Sequence, residues 1–408
     1  MIKKVIKQTS WQILGKVVTV VATIITLGII TRTYGTDGTG VYTLVLTYLA
    51  FFYLAADLGL NAYVLPHVIS DKSQANLLFN SRFYLSIFLV IIADLGALVM
   101  PFKTPQFIYS VFLGSLTIIS IGIFNSANLI FQSSLRYDKS IIASSLGSLV
   151  TIPIVIYLSM SGAPIFYLMI SPLFGLLINN LVIFFIIKSS YKFKLEKPNF
   201  NFLINTLKIA WPISLTLLLN TIYFRVDSFI LATVRNFAEV GVYNLAYSVF
   251  QNVLVIPTFI MNGFYPIILQ SLSQDKDKFL SQIKIAFLGM AGLSLLGILV
   301  TWIFSPLIIQ ILSKQGFEGS ITSLRILSLS FPAFFISSLL MWVCLSLKEF
   351  KKMLIVYVLG LGINASLNIF LIPKYGFIAA SWNTVISEYL ILVLLITILY
   401  PNFKKLKG

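Results

Sequence analysis

Apolar runs of roughly 20 residues, separated by short polar breaks, recur from one end of the chain to the other. A run of that length is long enough to cross a bilayer as a helix. The pattern predicts twelve spans, near residues 10–31, 41–65, 80–100, 106–132, 140–159, 164–187, 205–232, 241–268, 285–311, 323–346, 353–372 and 376–399. The expected fold is an all-α integral membrane protein with twelve transmembrane helices.

The spans fall into two similar sets of six. Trp11 precedes Gly40-Val41-Tyr42 by 29 residues, and Trp211 precedes Gly241-Val242-Tyr243 by 30. Pro66 and Pro266 close the second span of each set. The offset is 200 at the tryptophans, 201 at the glycines and 200 at the prolines. It grows to 212 between Ser134-Leu135-Arg136 and Ser346-Leu347-Lys348, which points to residues gained around 313–321. Six is even, so both halves enter the membrane in the same direction. Such a parallel repeat is transporter architecture, with a site expected between the halves near the membrane midplane. The expected domains are a six-helix lobe over 1–187, a cytoplasmic linker over 188–204, a second lobe over 205–400 and a cytoplasmic tail over 401–408. The linker carries Lys188, Lys192, Lys194 and Lys197 between Tyr191, Phe193 and Leu195. It reads as a strap on the headgroups that lets one half rock against the other.

Composition agrees with a membrane protein. Hydrophobic residues make up 58% of the chain and charged residues only 10%, where soluble domains carry about 25%. Of the 29 Lys and Arg, 21 fall in segments placed inside when both termini are cytoplasmic. Six fall outside (Arg32, Lys103, Arg235, Lys314, Arg325 and Lys374), and Lys16 and Arg225 lie within spans. That bias sets the orientation and places the chain as a multi-pass protein of the cell membrane. The net charge of +16 is explained by topology and by attraction to anionic membrane lipids, and needs no nucleic acid. Residues 10–31 exceed a signal-peptide core, and Thr31-Arg32-Thr33 is not a small-residue cleavage site, so the first segment counts as a span. Cys344 is the one cysteine, which excludes an internal disulfide and a thiolate metal cluster.

The chain offers little for catalysis. It has one histidine, His67, and lacks a Walker loop, paired metal-site histidines and a serine elbow. No catalytic residue, metal or organic cofactor is expected. Charges within spans carry more information, because each costs roughly 2.5–3.5 kcal/mol at a helix centre. They are Lys16, Asp57, Asp94, Arg225, Asp227 and Glu388, with Arg32 and Arg325 nearer the outer interface. Arg225 and Asp227, two apart on one helix, point to different sides and do not pair. Lys16 either snorkels to the cytoplasmic face or lines a cleft. Arg32, Arg225 and Lys16 are candidates for the phosphate or sugar of a substrate headgroup, since arginine binds phosphate oxygens in a bidentate manner. Asp57, Asp227, Asp94 and Glu388 are candidates for coupling to H⁺ or Na⁺. Tyr223, Tyr243 and Tyr247 are candidates for stacking on sugar rings.

These residues carry a resemblance. The Trp11 span leads to Arg32-Thr33-Tyr34-Gly35, Gly40-Val41-Tyr42 and Asp57-Leu58-Gly59-Leu60. The second half has Trp211-Pro212-Ile213, Arg225-Val226-Asp227-Ser228-Phe229-Ile230-Leu231 and Glu239-Val240-Gly241-Val242-Tyr243-Asn244-Leu245-Ala246. The order and spacing of these motifs, over essentially the whole chain, resemble the Wzx-type polysaccharide and O-antigen flippases of the multidrug/oligosaccharidyl-lipid/polysaccharide (MOP) exporter superfamily. The resemblance implies two lobes around a central cleft. It implies alternating-access movement of an undecaprenyl-pyrophosphate-linked oligosaccharide to the outer leaflet, driven by an ion gradient. It assigns Arg32, Asp57, Arg225 and Asp227 to the cavity. Glycosyltransferases and a polymerase of a surface-polysaccharide or lipopolysaccharide pathway would be the partners.

Two other readings stay open from the sequence. One is a cation-coupled drug or small-molecule exporter of the same superfamily. The other is a membrane polysaccharide polymerase, which would need a larger outer loop than the ten or so residues available here.

Overall fold

The computed structural model describes residues 2–71, 73–134, 136–187 and 194–407. Leu135 of the repeat motif, and Lys188, Tyr191, Lys192 and Phe193 of the expected linker, lie outside the described residues. Among the described residues helix is the only regular structure. Two compact units divide the chain between Thr221 and Ile222.

The first unit contains α1 (Ile2–Asp57), α2 (Leu60–Ser70), α3 (Ser73–Val99), α4 (Pro105–Ser133), α5 (Tyr137–Met160), a short 3₁₀ turn (Ile165–Met169) and α6 (Ile170–Ile187). It also takes nearly all of α7 (Phe200–Tyr223). Leu60, Val64 and Leu78 form a buried cluster with Phe131 and Ile183, and Phe202, Leu203 and Leu207 of α7 pack against it. The boundary between these two compact units falls near the end of α7. The described part of the linker is tied to α3. Asn80 donates to the Lys194 carbonyl at 2.8 Å. The Lys194 N–H donates to Asn76 at 2.9 Å, and the Glu196 N–H to Asn80 at 2.7 Å.

The second unit contains α8 (Val226–Val234), α9 (Phe237–Val253), α10 (Val255–Gln274), α11 (Lys276–Leu312), α12 (Glu318–Ser328), α13 (Phe331–Ser346) and α14 (Phe350–Lys407). Among the described residues, eight helices are long and apolar enough to cross a membrane, or ten when two bent pairs each count as one span. Two of the eight, Leu14–Asp57 and Lys351–Lys404, run 44 and 54 residues, about twice what one crossing needs. Each is broken at a glycine with positive φ, Gly35 at 65° and Gly376 at 58°. A count of twelve follows when both are divided there.

The packing inverts that of a water-soluble helix bundle. On α3, Phe88, Ile91, Leu95 and Val99 are 58%, 53%, 60% and 77% exposed, whereas Asn80, Ser81, Arg82 and Ser86 are buried. The exposed four recur at three- and four-residue spacing, so they form one apolar stripe facing outward. A bilayer favours that stripe and drives polar groups to the helix interfaces. Many buried hydroxyls bond back to their own helix, as Thr43 does to the Thr39 carbonyl at 2.8 Å and Ser126 to the Gly122 carbonyl at 3.0 Å. The chain is a multi-pass membrane protein.

Candidate functional site

Two buried polar centres stand out, one in each unit. The second unit's centre begins where α7 ends. Its last turn closes with the Arg225 N–H on the Ile222 carbonyl at 3.0 Å. Arg225 then has non-helical backbone angles and precedes α8 as its N-cap. Arg225 and Asp227 are thus not on one continuous helix, and the angle expected between them does not apply. Asp227 enters the first turn of α8, where a negative charge suits the positive end of the helix dipole.

Asp227 is only 3% exposed. Tyr243 of α9 donates to its Oδ2 at 2.7 Å, and Thr384 of α14 donates to the same oxygen at 3.1 Å. Asn368, also on α14, donates to Oδ1. Three side-chain donors replace the water that burial removed, which a buried carboxylate requires. The shell continues outward. Asn383 donates to Asn368 at 2.8 Å, Asn368 to Asn364 at 3.0 Å, and Asn364 to Ser387 at 3.3 Å. The pairs Asn364/Asn368 and Thr384/Glu388 are each four apart, so each pair shares a helix face. The two pairs come from opposite sides of the Gly376 break. Glu239 secures that break by accepting from the Phe377 N–H at 3.1 Å and from Arg235 at 2.8 Å.

Glu388 is also 3% exposed, and Tyr223 donates to its Oε1 at 2.8 Å. Tyr247 lies within electrostatic reach of Arg225, Asp227 and Glu388 together. No side-chain hydrogen bond or ion pair of Arg225 occurs among the described residues. The structure therefore brings together Arg225, Asp227 and Glu388 from the sequence candidates. It also gives Tyr223 and Tyr243 a different task from sugar stacking, since both are buried and donate to carboxylates.

The first unit's centre surrounds a break in the second span. Leu58 (φ 43°) and Gly59 (φ 65°) both take the left-handed conformation between α1 and α2. This strands carbonyls that no helical N–H reaches. Arg82 of α3, fully buried, supplies the donors. Its Nε reaches the Ala56 carbonyl at 2.9 Å, and one terminal nitrogen reaches Asn61 at 3.0 Å and Ser126 at 3.2 Å. The other reaches the Asp57 carbonyl at 3.4 Å and its carboxylate at 3.3 Å. Ser214 of α7 covers the Leu58 carbonyl at 2.5 Å. Asp57 is thus ion-paired inside the bundle. Arg82, counted above among the inside cations, belongs to a helix interior. Removing it leaves 20 inside cations against 6 outside.

The other candidates lie apart. Asp94 of α3 is half-buried, and its Oδ1 has no hydrogen-bond partner among the described residues. Neighbouring Ala93 accepts from Tyr48 at 2.7 Å. Lys16 and Arg32 are both exposed on the first half of α1. Sixteen residues separate them, about 24 Å along a helix. Sequence reasoning missed Arg82 and the Asn364/Asn368/Asn383/Thr384 shell. The i, i+4 recurrence of amide and acid positions in two apolar spans was the available signal.

A family model described as "Polysaccharide biosynthesis protein" matches residues 29–256, more than half of the chain. The chain belongs to the polysaccharide biosynthesis protein family. A second model, MatE, matches residues 212–370 of this family member. No curated protein sequence matches. Solved structures with the same fold include an inward-facing multidrug resistance MATE transporter of the MOP superfamily. That similarity is 17% identity with a TM-score of 0.75 over 95% of each chain. The lipid II flippase MurJ, in an inward closed conformation, is 16% identical with a TM-score of 0.75, over 98% of this chain and 90% of its own. A MOP-superfamily transporter from Pyrococcus furiosus is 17% identical with a TM-score of 0.57, over 97% and 96%. This member of the polysaccharide biosynthesis family therefore has the MOP fold. The solved structures that share this fold are named as transporters and a flippase, and none of them as a polymerase.

Proposed function

We propose that this chain is a flippase for a lipid-linked oligosaccharide. It moves an undecaprenyl-pyrophosphate-linked glycan from the cytoplasmic to the outer leaflet of the cell membrane by alternating access, with both termini cytoplasmic. Family membership supports the substrate class. The observation that carries the mechanism is Arg225, a guanidinium at a helix break with no ion-pair partner among the described residues. A planar fork of donors in a low-dielectric setting suits a pyrophosphate. Arg32 and Lys16 would meet the same headgroup at other stages of its passage.

Asp227 would supply the coupling to an ion gradient. Its carboxylate and the Thr384 hydroxyl are hard oxygen donors, and Asn368 would add a third once its amide turned over. Such a set accepts Na⁺ or H⁺. Asp94 remains an ion candidate by its unpartnered oxygen.

The test is flipping in proteoliposomes, with a fluorescent undecaprenyl-pyrophosphate oligosaccharide and a membrane-impermeant quencher. The expected result is a protein-dependent change in the quenchable fraction that Arg225→Ala reduces. No change across several glycans, with and without proton or Na⁺ gradients, would overturn this reading. It would favour the small-molecule exporter, which the MatE match also supports.

A further inference from the structure

The second unit holds two buried carboxylates, and their surroundings differ. Asp227 has three side-chain donors. Glu388, equally buried, has one, the Tyr223 hydroxyl at 2.8 Å. No ion pair among the described residues includes Glu388. The titratable groups facing it are Tyr223 from α7, Tyr247 from α9 and Tyr357 from the first half of α14. These phenols are neutral at physiological pH. Arg225 and Asp227 act on the same Tyr247 from the α7–α8 junction. Cys344 of α13 neighbours Tyr357 and not Glu388.

A buried carboxylate with one hydrogen bond and no cation cannot hold its charge cheaply, and it neutralises by taking a proton. We infer that Glu388 and Tyr223 form a proton site of their own, separate from the Asp227 cluster and one helical turn from Thr384. In the bound state the proton sits on Oε2, and Tyr223 still donates to Oε1. On release, the carboxylate keeps that single donor and the proton leaves to water. Two residues that border Glu388 along α14 belong to the Asp227 network, and neither bonds to Glu388 itself. Thr384 sits four residues before Glu388 on the same face and donates to Asp227. Ser387, beside Glu388, accepts from Asn364, which leads through Asn368 to Asp227. The inference holds whatever headgroup is carried, so its test uses no substrate.

Infrared difference spectra of the full chain in liposomes, stepped across pH in Na⁺-free buffer, read protonated carboxyl groups directly. Wild type should show a carboxylic acid C=O band on acidification that persists in Asp227→Asn and disappears in Glu388→Gln. Tyr223→Phe, which removes one oxygen, should keep the band and move it to higher frequency. Glu388→Asp should restore a displaced band. A band that survives Glu388→Gln, or that vanishes only with Asp227→Asn, would overturn the inference. So would a band unmoved by Tyr223→Phe in protein whose amide bands match wild type.

Discussion

The two units use one frame for different chemistry. Tyr42 and Tyr243 stand at the same place in the two Gly-Val-Tyr runs. Tyr42 meets the hydroxyl of Ser171, whereas Tyr243 meets Asp227 and Thr384. At the offset of 200 that pairs Trp11 with Trp211, Leu27 occupies the place of Asp227. The first unit therefore keeps a neutral hydroxyl contact where the second has a carboxylate. Asp57, an acid of its second span, is ion-paired with Arg82. The helix breaks also differ in use. The first unit fills its break with a buried guanidinium, and the second leaves Arg225 beside its break without an ion-pair partner among the described residues. The repeat gives the scaffold twice, and the fully buried pair of carboxylates stands in one copy.

That contrast can be broken at its strongest point first. Arg82→Met leaves the buried Ala56 carbonyl and the partly exposed Asp57 carboxylate without their donor. A buried acceptor left without its donor costs about 1–3 kcal/mol. We expect a clear fall in the melting temperature in detergent, partly restored by adding Asp57→Asn. An unchanged melting temperature would remove the structural role assigned to the pair. Copying the second unit into the first is the next test. Leu27→Asp places a carboxylate in a span at a cost of roughly 2.5–3.5 kcal/mol on insertion scales, with Tyr42 as the nearest equivalent donor. Membrane yield should drop, and no new ion dependence of transport should appear. The converse, Asp227→Asn, keeps the volume and should leave the fold intact. Gradient-stimulated flipping should fall on the order of tenfold, a usual size for coupling between sites. Retained stimulation would move ion coupling elsewhere.

The smallest effect concerns a feature the units share. Asp71 before α3 accepts from the Ser73 N–H at 2.9 Å, and Asp275 before α11 accepts from the Asp277 N–H at 2.8 Å. Asp71 lies in a loop, and the hydroxyl and N–H of Ser73 hold its carboxyl below the usual carboxylate range. A lowered value in the folded chain means stability that is present above the ordinary carboxylate range and lost as pH falls through the folded value. Asp71→Asn should slightly flatten the acid limb of a melting-temperature profile and leave it unchanged near neutrality.

The spans were legible because lipid demands long apolar runs, and little else in a chain produces them. The reversals at Gly35 and Gly376 fall in or beside the gaps read between spans. The repeat was legible through bulky and turn-forming landmarks such as Trp11 and Trp211. The breaks at Leu58–Gly59 and at Phe224–Arg225 were not, because each lies inside a predicted span, where Asp57, Arg225 and Asp227 mark a polar site and not a turn. Arg82 sits near a span end in sequence, where a loop cation is the ordinary reading, yet it is fully buried. Charges marked Arg225, Asp227 and Glu388. The asparagines around them carry no charge, so hydropathy registers them only weakly, and their convergence needs the folding of α14 at Gly376.

Arg82 also bears on how the protein is made. Synthesis delivers α1 and α2 before α3, so the break at Leu58–Gly59 exists before its guanidinium does. Alone in hydrocarbon, the broken segment would expose bare carbonyls and Arg82 an unmatched charge, each at a cost of several kcal/mol. Together they cancel. We therefore expect the first three spans to enter the membrane best as a group, and a chain cut before Arg82 to be recovered from membranes at lower yield than one cut after α3.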